Sequence, residues 1–187
     1  MHCRLFAQAR GAPNASSPFA PVGDAGADDL IPLGDSGSFD SHICFAAAHP
    51  LPGAAAGEPV RLFYMGGNGP HNGVRNSSLG FALLRADGFA SVAAPSAPGA
   101  AVIRNVTVTA ARLTATVDVL AAGGSVRIGA RGVPGLGVAD AAPLAASATD
   151  AVVAFAGGKD FAGLLGRVLD FDVELGQGSA LFTVGFE

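Results

Sequence analysis

RLFYMGGNGPHNGVRNSSLGFALLRADGF, residues 61–89, places two apolar runs on either side of a Gly-rich loop. The runs, at 60–65 and 79–84, carry the β-branched, aromatic and leucine side chains typical of half-buried strands. The glycines and the proline between them cannot continue a strand ladder, so we expect the chain to turn there. The loop spans about a dozen residues, and loops of that length in compact domains are usually functional or disordered.

The polar side chains of this loop are Asn68, His71, Asn72, Arg75 and Asn76. In one interpretation they belong to a solvated surface loop, where Asn and Gly supply positive φ angles. In the other, Asn68, His71 and Arg75 bind a substrate, because an isolated His in a Gly-rich loop has no obvious packing partner. Arg75 could clamp a ligand hydroxyl or carboxylate, and it could equally pair with Asp87.

A further strand precedes this stretch. Residues 43–48 follow a turn at 34–38, which places Asp40 at a strand entrance. A Pro/Gly/Ala segment then leads to the next strand, as between neighbouring antiparallel strands. The sequence predicts one antiparallel sheet within residues 30–94. Its expected strands are 43–48, 60–66, 78–84 and 88–92.

The second half of the chain alternates with a period of two. Apolar and polar residues interleave at 113–119 and 169–175, which indicates strands with one face in a core and the other in water. Small residues at 95–100 mark the expected boundary between two domains. Residues 99–187 are predicted to form a β-sandwich, with one helical turn that Asp160 caps and Gly166 ends. The predicted core contains Leu113, Val117, Leu169, Phe171, Val173, Phe182 and Phe186.

Composition supports an all-β, antiparallel chain. Half of the 187 residues are apolar and 14% are charged, which excludes a disordered tail, while 27 Gly and 12 Pro disfavour long helices. Residues 1–29 show neither the period of two of a strand nor the 3.6-residue period of a helix. They are predicted to be an irregular, mobile lead-in segment. Cys3 and Cys44 match no zinc-binding spacing, so no metal site is predicted.

Charge and hydropathy exclude several kinds of partner. The net charge is −4 and the basic residues are scattered, which disfavours nucleic acid as a partner. No apolar run reaches the roughly 20 residues of a membrane helix. The first residues do not resemble a signal peptide, so an extracellular location would require a signal upstream of this sequence. No phosphate loop, dinucleotide fingerprint or Gly-x-Ser-x-Gly elbow occurs, and no cofactor is predicted.

Several motifs follow one another in a distinctive order. GSFDSHICFAAAHP (37–50), RLFYMGGNGPH (61–71) and SSLGFALLRADGFASV (77–92) are followed by PGL (134–136), GGKDF (157–161), LGR (165–167) and LFTVGF (181–186). This order resembles the last blade and the C-terminal β-sandwich of bacterial five-bladed β-propeller proteins related to glycoside hydrolase families 32 and 43. The resemblance covers residues 30–187 and implies a partial propeller blade followed by a jelly-roll-like sandwich. Phe155 stands where the family has Trp, and the first four or so blades are missing.

The resemblance implies a carbohydrate-active protein. Glycoside hydrolysis normally needs two carboxylates about 5 to 9.5 Å apart. Asp40 is the one acid that the resemblance places at the mouth of a blade, as a candidate catalytic residue beside His71 and Arg75. The structural alternative for Asp40 is a carboxylate that accepts backbone hydrogen bonds at a turn.

We therefore expect a relative of the propeller glycosidases that binds a saccharide without a full catalytic set. Two alternatives stay open: an active glycoside hydrolase acting on a furanoside or pyranoside, and a non-catalytic structural or interaction module. A blade without its neighbour leaves a free sheet edge. Self-association, or missing N-terminal blades, would cover that edge.

Overall fold

The computed structural model describes residues 6–7, 20–21, 29–55 and 57–187, and in this part of the chain the fold is all-β. Every strand pairing is antiparallel, and the only helices among the described residues are three 3₁₀ helices. The predicted all-β, antiparallel class is confirmed. The chain divides into two compact units between Phe89 and Ala90. Most of the predicted lead-in segment, 1–29, lies outside the described residues.

The described residues of the first unit form five strands, β1 (Phe6–Ala7), β2 (Ala20–Pro21), β3 (Ile43–Ala46), β4 (Val60–Gly67) and β5 (Ser77–Leu84). Strands β1 and β2 pair with each other, and the remaining three form a sheet in the order β3-β4-β5. The pairing of β4 with β5 runs from Val60↔Leu84 to Gly67↔Ser77 without a register shift. The two apolar runs on either side of the Gly-rich loop are therefore neighbouring strands.

The three-stranded sheet has two different faces, because side chains alternate along each strand. The Tyr64 face carries Cys44, Tyr64, Leu62 and Ala82, which pack with Leu30, Ile31 and Leu33 from the preceding segment. The Phe81 face carries apolar side chains from all three strands: Phe45 of β3, Phe63 and Met65 of β4, and Leu79, Phe81 and Leu83 of β5. On this face Met65 pairs with both Phe45 and Leu79, and Phe63 pairs with Phe81. Cys44 is buried and disulfide-bonded. The second cysteine of the sequence, Cys3, lies outside the described residues.

The second unit contains seven strands, β6 (Val92–Ala94), β7 (Gly99–Thr107), β8 (Leu113–Val119), β9 (Val126–Ala130), β10 (Ala148–Val152), β11 (Val168–Leu175) and β12 (Ser179–Phe186). They form one sheet in the order β10-β8-β12-β6 and another in the order β7-β11-β9. A single hydrophobic cluster contains buried residues from both sheets. The unit is thus sandwich-like, as the alternating pattern predicts.

The predicted fourth strand of the first sheet, 88–92, is wrong. The strand in this region is β6, and it pairs with β12 through Val92↔Leu181 and Ala94↔Ser179. The physical reason is burial, because Ala94 is 4% exposed within the core of the second unit. The sequence therefore crosses to the second unit before the small-residue segment at 95–100.

The predicted core is confirmed except at Phe182. Phe171 is fully buried and its ring lies 5.8 Å from that of Phe161 and 6.0 Å from that of Phe186. Phe182 is only half-buried, because the register of β12 against β8 shifts between Leu181 and Thr183. This irregularity directs Leu181 into the core in place of Phe182. The other predicted core residues that are buried are Leu113, Val117, Leu169 and Val173.

Strand β8 is buried on both faces, contrary to the prediction of a polar face in water. Thr114 and Thr116 are 5% and 0% exposed. The β10–β8 pairing is irregular between Ala148 and Ala151, and there the backbone N–H of Asp150 donates to Thr116 Oγ1 at 3.2 Å. The threonine hydroxyl thus has a partner inside the structure.

The predicted helical turn near Asp160 is present as the 3₁₀ helix Ala162–Leu164. Asp160 Oδ1 accepts the backbone N–H of Ala162 at 3.0 Å, and Gly166 follows with a φ of +78°. The other two 3₁₀ helices are Val138–Asp140 and Ala156–Gly158.

Candidate functional site

Asp40 lies just before β3, after a turn in which Ser38 N–H donates to the carbonyl of Asp35 at 2.9 Å. Its side chain is buried at 7% exposure. The carboxylate accepts the Tyr64 hydroxyl on Oδ2 at 2.7 Å and the Ser38 hydroxyl on Oδ1 at 2.9 Å. Two side-chain hydroxyls therefore donate to the carboxylate, and a backbone hydrogen bond at Asp40 itself adds to them.

Glycines allow this carboxylate to pack closely against the sheet. A Cβ atom on Gly66 would lie 2.6 Å from both Asp40 Cβ and Phe39 Cε2, and one on Gly80 would lie 2.8 Å from Phe39 Cζ. The Phe39 ring stacks on the Tyr64 ring with centroids 6.0 Å apart. Two glycines on the Tyr64 face thus make the room that Phe39 and Asp40 occupy.

The Tyr64–Asp40 hydrogen bond alters the ionisation of both groups. It is the main cause that lowers the pKa of Asp40, with the Ser38 hydroxyl adding to it and burial opposing it. Burial, followed by the hydrogen bond and the charge of Asp40, raises the pKa of Tyr64 to about 12. A general acid of a glycosidase needs a raised pKa. Asp40 has the opposite shift, so this environment does not suit it to proton donation.

The predicted binding residues of the loop are arranged largely by contacts within it. Asn68 Oδ1 accepts the backbone N–H of Asn76 at 2.9 Å, which closes the base of the loop. The Arg75 guanidinium donates to the backbone carbonyls of Pro70 and His71. Asp87 is not its hydrogen-bond partner. Arg75 therefore holds the tip of the loop in place.

His71 is the exposed polar group at this tip. Its Nδ1 lies 2.9 Å from Oδ1 of Asn72, and its ring centroid lies 5.8 Å from that of Phe45. Nε of Arg75, in the same loop, is buried and has no hydrogen-bond partner among the described residues. The loop thus presents an imidazole and an amide beside an aromatic ring.

The two halves of the predicted site lie on opposite faces of the sheet. Gly66 and Gly67 are adjacent in β4, so Cβ atoms placed on them would point in opposite directions. The one on Gly66 would meet Asp40, whereas the one on Gly67 would lie 3.1 Å from Cδ of Arg75. Asp40 is therefore on the Tyr64 face and Arg75 on the Phe81 face.

His71 belongs with Arg75, because it contacts Phe45 on the Phe81 face. The prediction that Asp40 lies beside His71 and Arg75 in one site is wrong. The physical reason is the two-residue period of β4. The segment with Asp40 packs on Gly66 and the loop with Arg75 packs on Gly67, and these adjacent residues face opposite sides of the sheet. The substrate-binding roles of Asn68, His71 and Arg75 and the catalytic role of Asp40 stay predictions.

Sequence reasoning missed Tyr64 and Ser38 as partners of Asp40. Tyr64 is the only tyrosine of the chain and lies next to the Gly66-Gly67 pair, within the strand that leads into the loop. A polar aromatic on the apolar side of a strand usually finds a hydrogen-bond partner when buried. That signal was available, although the sequence does not show which acid the phenol meets.

One cleft in the second unit also contains two carboxylates. Arg131, Asp172 and Glu174 line it, and its volume is about 370 Å³. Arg131 donates to Asp172 through Nε and Nη2, and this pairing is the main cause that lowers the pKa of Asp172. A carboxylate held in this way does not suit the role of a general acid.

Within the described ranges, no three His, Cys, Asp or Glu side chains are grouped so that they could hold a metal ion. None of the helices in this part of the chain is long and apolar enough to cross a membrane. No known protein family, curated protein or solved structure matches the chain.

Proposed function

We propose that this chain is a non-catalytic carbohydrate-binding module related to the propeller glycosidases. The observation that carries this proposal is the loop of residues 68–76, where His71 stands exposed beside the ring of Phe45 and the exposed Asn72 lies 2.9 Å from His71 Nδ1. Sugars combine apolar C–H faces with hydroxyl groups. The phenyl ring offers a partner to the C–H faces, and the imidazole and its neighbouring amide offer partners to the hydroxyl groups.

The loop is pre-organised for such a contact. Arg75 donates to two loop carbonyls and Asn68 closes the loop base, so the tip is held before a ligand arrives. Pre-organisation lowers the conformational entropy that binding must overcome.

We expect no turnover at this loop because of the position of Asp40. Its carboxylate is occupied by Tyr64 and Ser38, and it lies on the face opposite His71. A saccharide on the loop would therefore not meet Asp40. Hydrolysis needs two carboxylates positioned on either side of the scissile bond.

The expected affinity is low. One ring contact and a few hydrogen bonds on an exposed loop leave little surplus over the cost of association, so we expect a Kd on the order of 1 mM. Binding of that strength is measured by chemical-shift changes in the amide spectrum as each sugar of a panel of fructosides, arabinosides, xylosides and mannosides is added.

His71→Ala tests the site, and His49→Ala is its matched control. His49 is also exposed, but it lies beyond the C-terminal end of β3, whereas the loop lies at the N-terminal end of that strand. Shifts confined to residues 68–76 and Phe45, lost in His71→Ala and kept in His49→Ala, are the expected result. A panel that produces no shifts, or shifts that His71→Ala leaves unchanged, would refute the proposal.

A further inference from the structure

Strand β5 forms one edge of the β3-β4-β5 sheet. All eight of its residues pair with β4, and no described strand pairs with its other side. Natural edge strands are usually short, charged, bulged or interrupted by proline. The sequence of β5, SSLGFALL, has no charge and no proline, and its register is unbroken. Strand β5 itself thus lacks the charge, proline or bulge that usually prevents an edge from pairing.

The backbone groups on the free side of β5 can be identified. Asn68 N–H donates to the carbonyl of Asn76 at 3.2 Å, in register with the β4–β5 ladder. Hydrogen-bonded pairs alternate along an antiparallel ladder, so Tyr64 and Gly80 form such a pair. The odd-numbered residues of β5 consequently direct N–H and C=O away from β4. These residues are Ser77, Leu79, Phe81 and Leu83.

Three of these four residues expose apolar side chains. Leu79, Phe81 and Leu83 are 76%, 57% and 61% exposed, and Met65 beside them is 37% exposed. They form a continuous strip on the Phe81 face, because Met65 pairs with Leu79 and Phe63 with Phe81. Such strips rimmed by polar residues mark interaction surfaces.

We propose that a second copy of this chain pairs with the free edge of β5, antiparallel and centred on Phe81. In this register Phe81 lies opposite Phe81 of the second copy, and Leu79 lies opposite Leu83. On the other face Gly80 lies opposite Ala82. From residue 79 to residue 83 every facing pair is without polar side chains, and the strand contains no charged residue that could meet a like charge.

The hydrogen bonds fit the same register. Phe81 directs both N–H and C=O outward, so two copies related by a two-fold axis exchange both bonds at this residue. A hydrogen-bonded pair places the two Cα atoms about 5.5 Å apart. The self-complementary sequence is what favours a second copy over an unrelated strand as the occupant.

The available area determines how stable this pairing is. Strand pairing covers only the sides of Leu79, Phe81 and Leu83 and one strand backbone in each copy, so the buried area stays below about 1,200 Å² in total. Stable interfaces bury about 1,200 to 2,000 Å². The pair is therefore a reversible dimer whose population rises with protein concentration.

Sedimentation velocity over a range of concentrations tests the dimer. Phe81→Lys places a charge at the two-fold, where it would face its own copy, and Leu120→Lys is the matched control because Leu120 is 83% exposed in the second unit. The wild type and Leu120→Lys are expected to shift from monomer to dimer, while Phe81→Lys stays monomeric with an unchanged far-UV spectrum. A monomeric wild type at every concentration would overturn the proposal, as would a Phe81→Lys variant that still dimerises.

Cross-linking tests the register. A Cα separation of about 5.5 Å lies within the disulfide range, so Phe81→Cys is expected to form a covalent dimer on mild oxidation. In Leu79→Cys the two new thiols are four residues out of register and are expected to cross-link far more slowly. Equal cross-linking of the two variants would refute this register. Failure of saccharide binding would leave the dimer unaffected, since the two tests have separate readouts.

Discussion

The hydroxyl of Tyr64 donates to Oδ2 of Asp40 across 2.7 Å, although the two residues are 24 positions apart in the sequence. The bond ties the middle strand of the first sheet to the segment that precedes β3. It also gives the chain a natural reporter, because Tyr64 is the only tyrosine and the sequence has no tryptophan.

The ionisation of Tyr64 can be followed without interference. We expect the tyrosinate absorbance to rise with a midpoint near pH 12, because burial and Asp40 both disfavour the phenolate. Asp40→Asn removes the negative charge and should move the midpoint towards 10 while leaving the burial contribution. A wild-type midpoint at the ordinary tyrosine pKa of 10.0 would show that the phenol is solvated.

The stability of the first unit should depend on pH at both ends. The folded pKa of Asp40 is lowered, so its contribution is present above 3.8 and is lost as the pH falls through that lowered pKa. The folded pKa of Tyr64 is raised, so its contribution is present below 10.0 and is lost as the pH rises towards about 12. The melting temperature, measured by tyrosine fluorescence over a range of pH, should be constant between these limits and fall outside them.

Tyr64→Phe is expected to lower the free energy of unfolding by about 1 to 3 kcal/mol at neutral pH, because it leaves a buried carboxylate short of one donor. Calorimetry measures the loss. The alkaline decline should also disappear in this variant, and a decline that persists would have to come from other groups.

Gly66→Ala should be costly, because the new Cβ would lie 2.6 Å from atoms of Asp40 and Phe39. Overpacking of this kind typically costs about 1 to 3 kcal/mol. Gly99→Ala is the control, since its nearest neighbour would be at 3.8 Å. Urea titrations of both variants, followed by tyrosine fluorescence and circular dichroism, measure the difference, and equal midpoints would argue against the tight packing around Asp40.

Phe171→Ala is expected to destabilise the second unit by about 3 to 5 kcal/mol, because the ring is fully buried between Phe161 and Phe186. Phe182→Ala removes the same ring from a half-buried position and should cost less. Chemical denaturation of both variants makes the comparison. If Phe182→Ala proved the more damaging, the assignment of Leu181 to the core would be incorrect.

The purified chain should show no appreciable turnover on fructosides, arabinosides, xylosides or mannosides, because the Asp40 carboxylate is enclosed. Release of reducing sugar measures turnover. Activity that Asp40→Asn abolishes would establish a compact enzyme in which Asp40 is catalytic.

The period of two was enough to predict the sandwich-like second unit and most of its core, since burial of one strand face leaves a direct trace in the sequence. It failed at Phe182 because a local register shift changes which residues face inward, and the letters Leu181-Phe182 are equally apolar. It failed at Thr116 because the hydroxyl partner, the N–H of Asp150, comes from a strand far along the chain.

The candidate site was harder to predict than the fold. The loop and its polar residues could be identified from glycine content and spacing. Asp40 packs against Gly66 and Arg75 against Gly67, and adjacent residues of a strand face opposite sides of the sheet. The sequence does not show which glycine each side chain contacts, so it could not place the two residues on different faces. The burial of Asp40 depends on Tyr64, which no local pattern connects to it.

The order of strands in the second unit has a consequence for its synthesis. Strand β11 is central in one sheet, between β7 and β9, and β12 separates β8 from β6 in the other. Neither sheet can therefore assemble until residues 168–186 have emerged from the ribosome. Before then the apolar β8 and β9 lack their main partners, and nascent chains with such exposed strands are prone to aggregate. A chaperone that shelters extended apolar segments would be needed most during this interval.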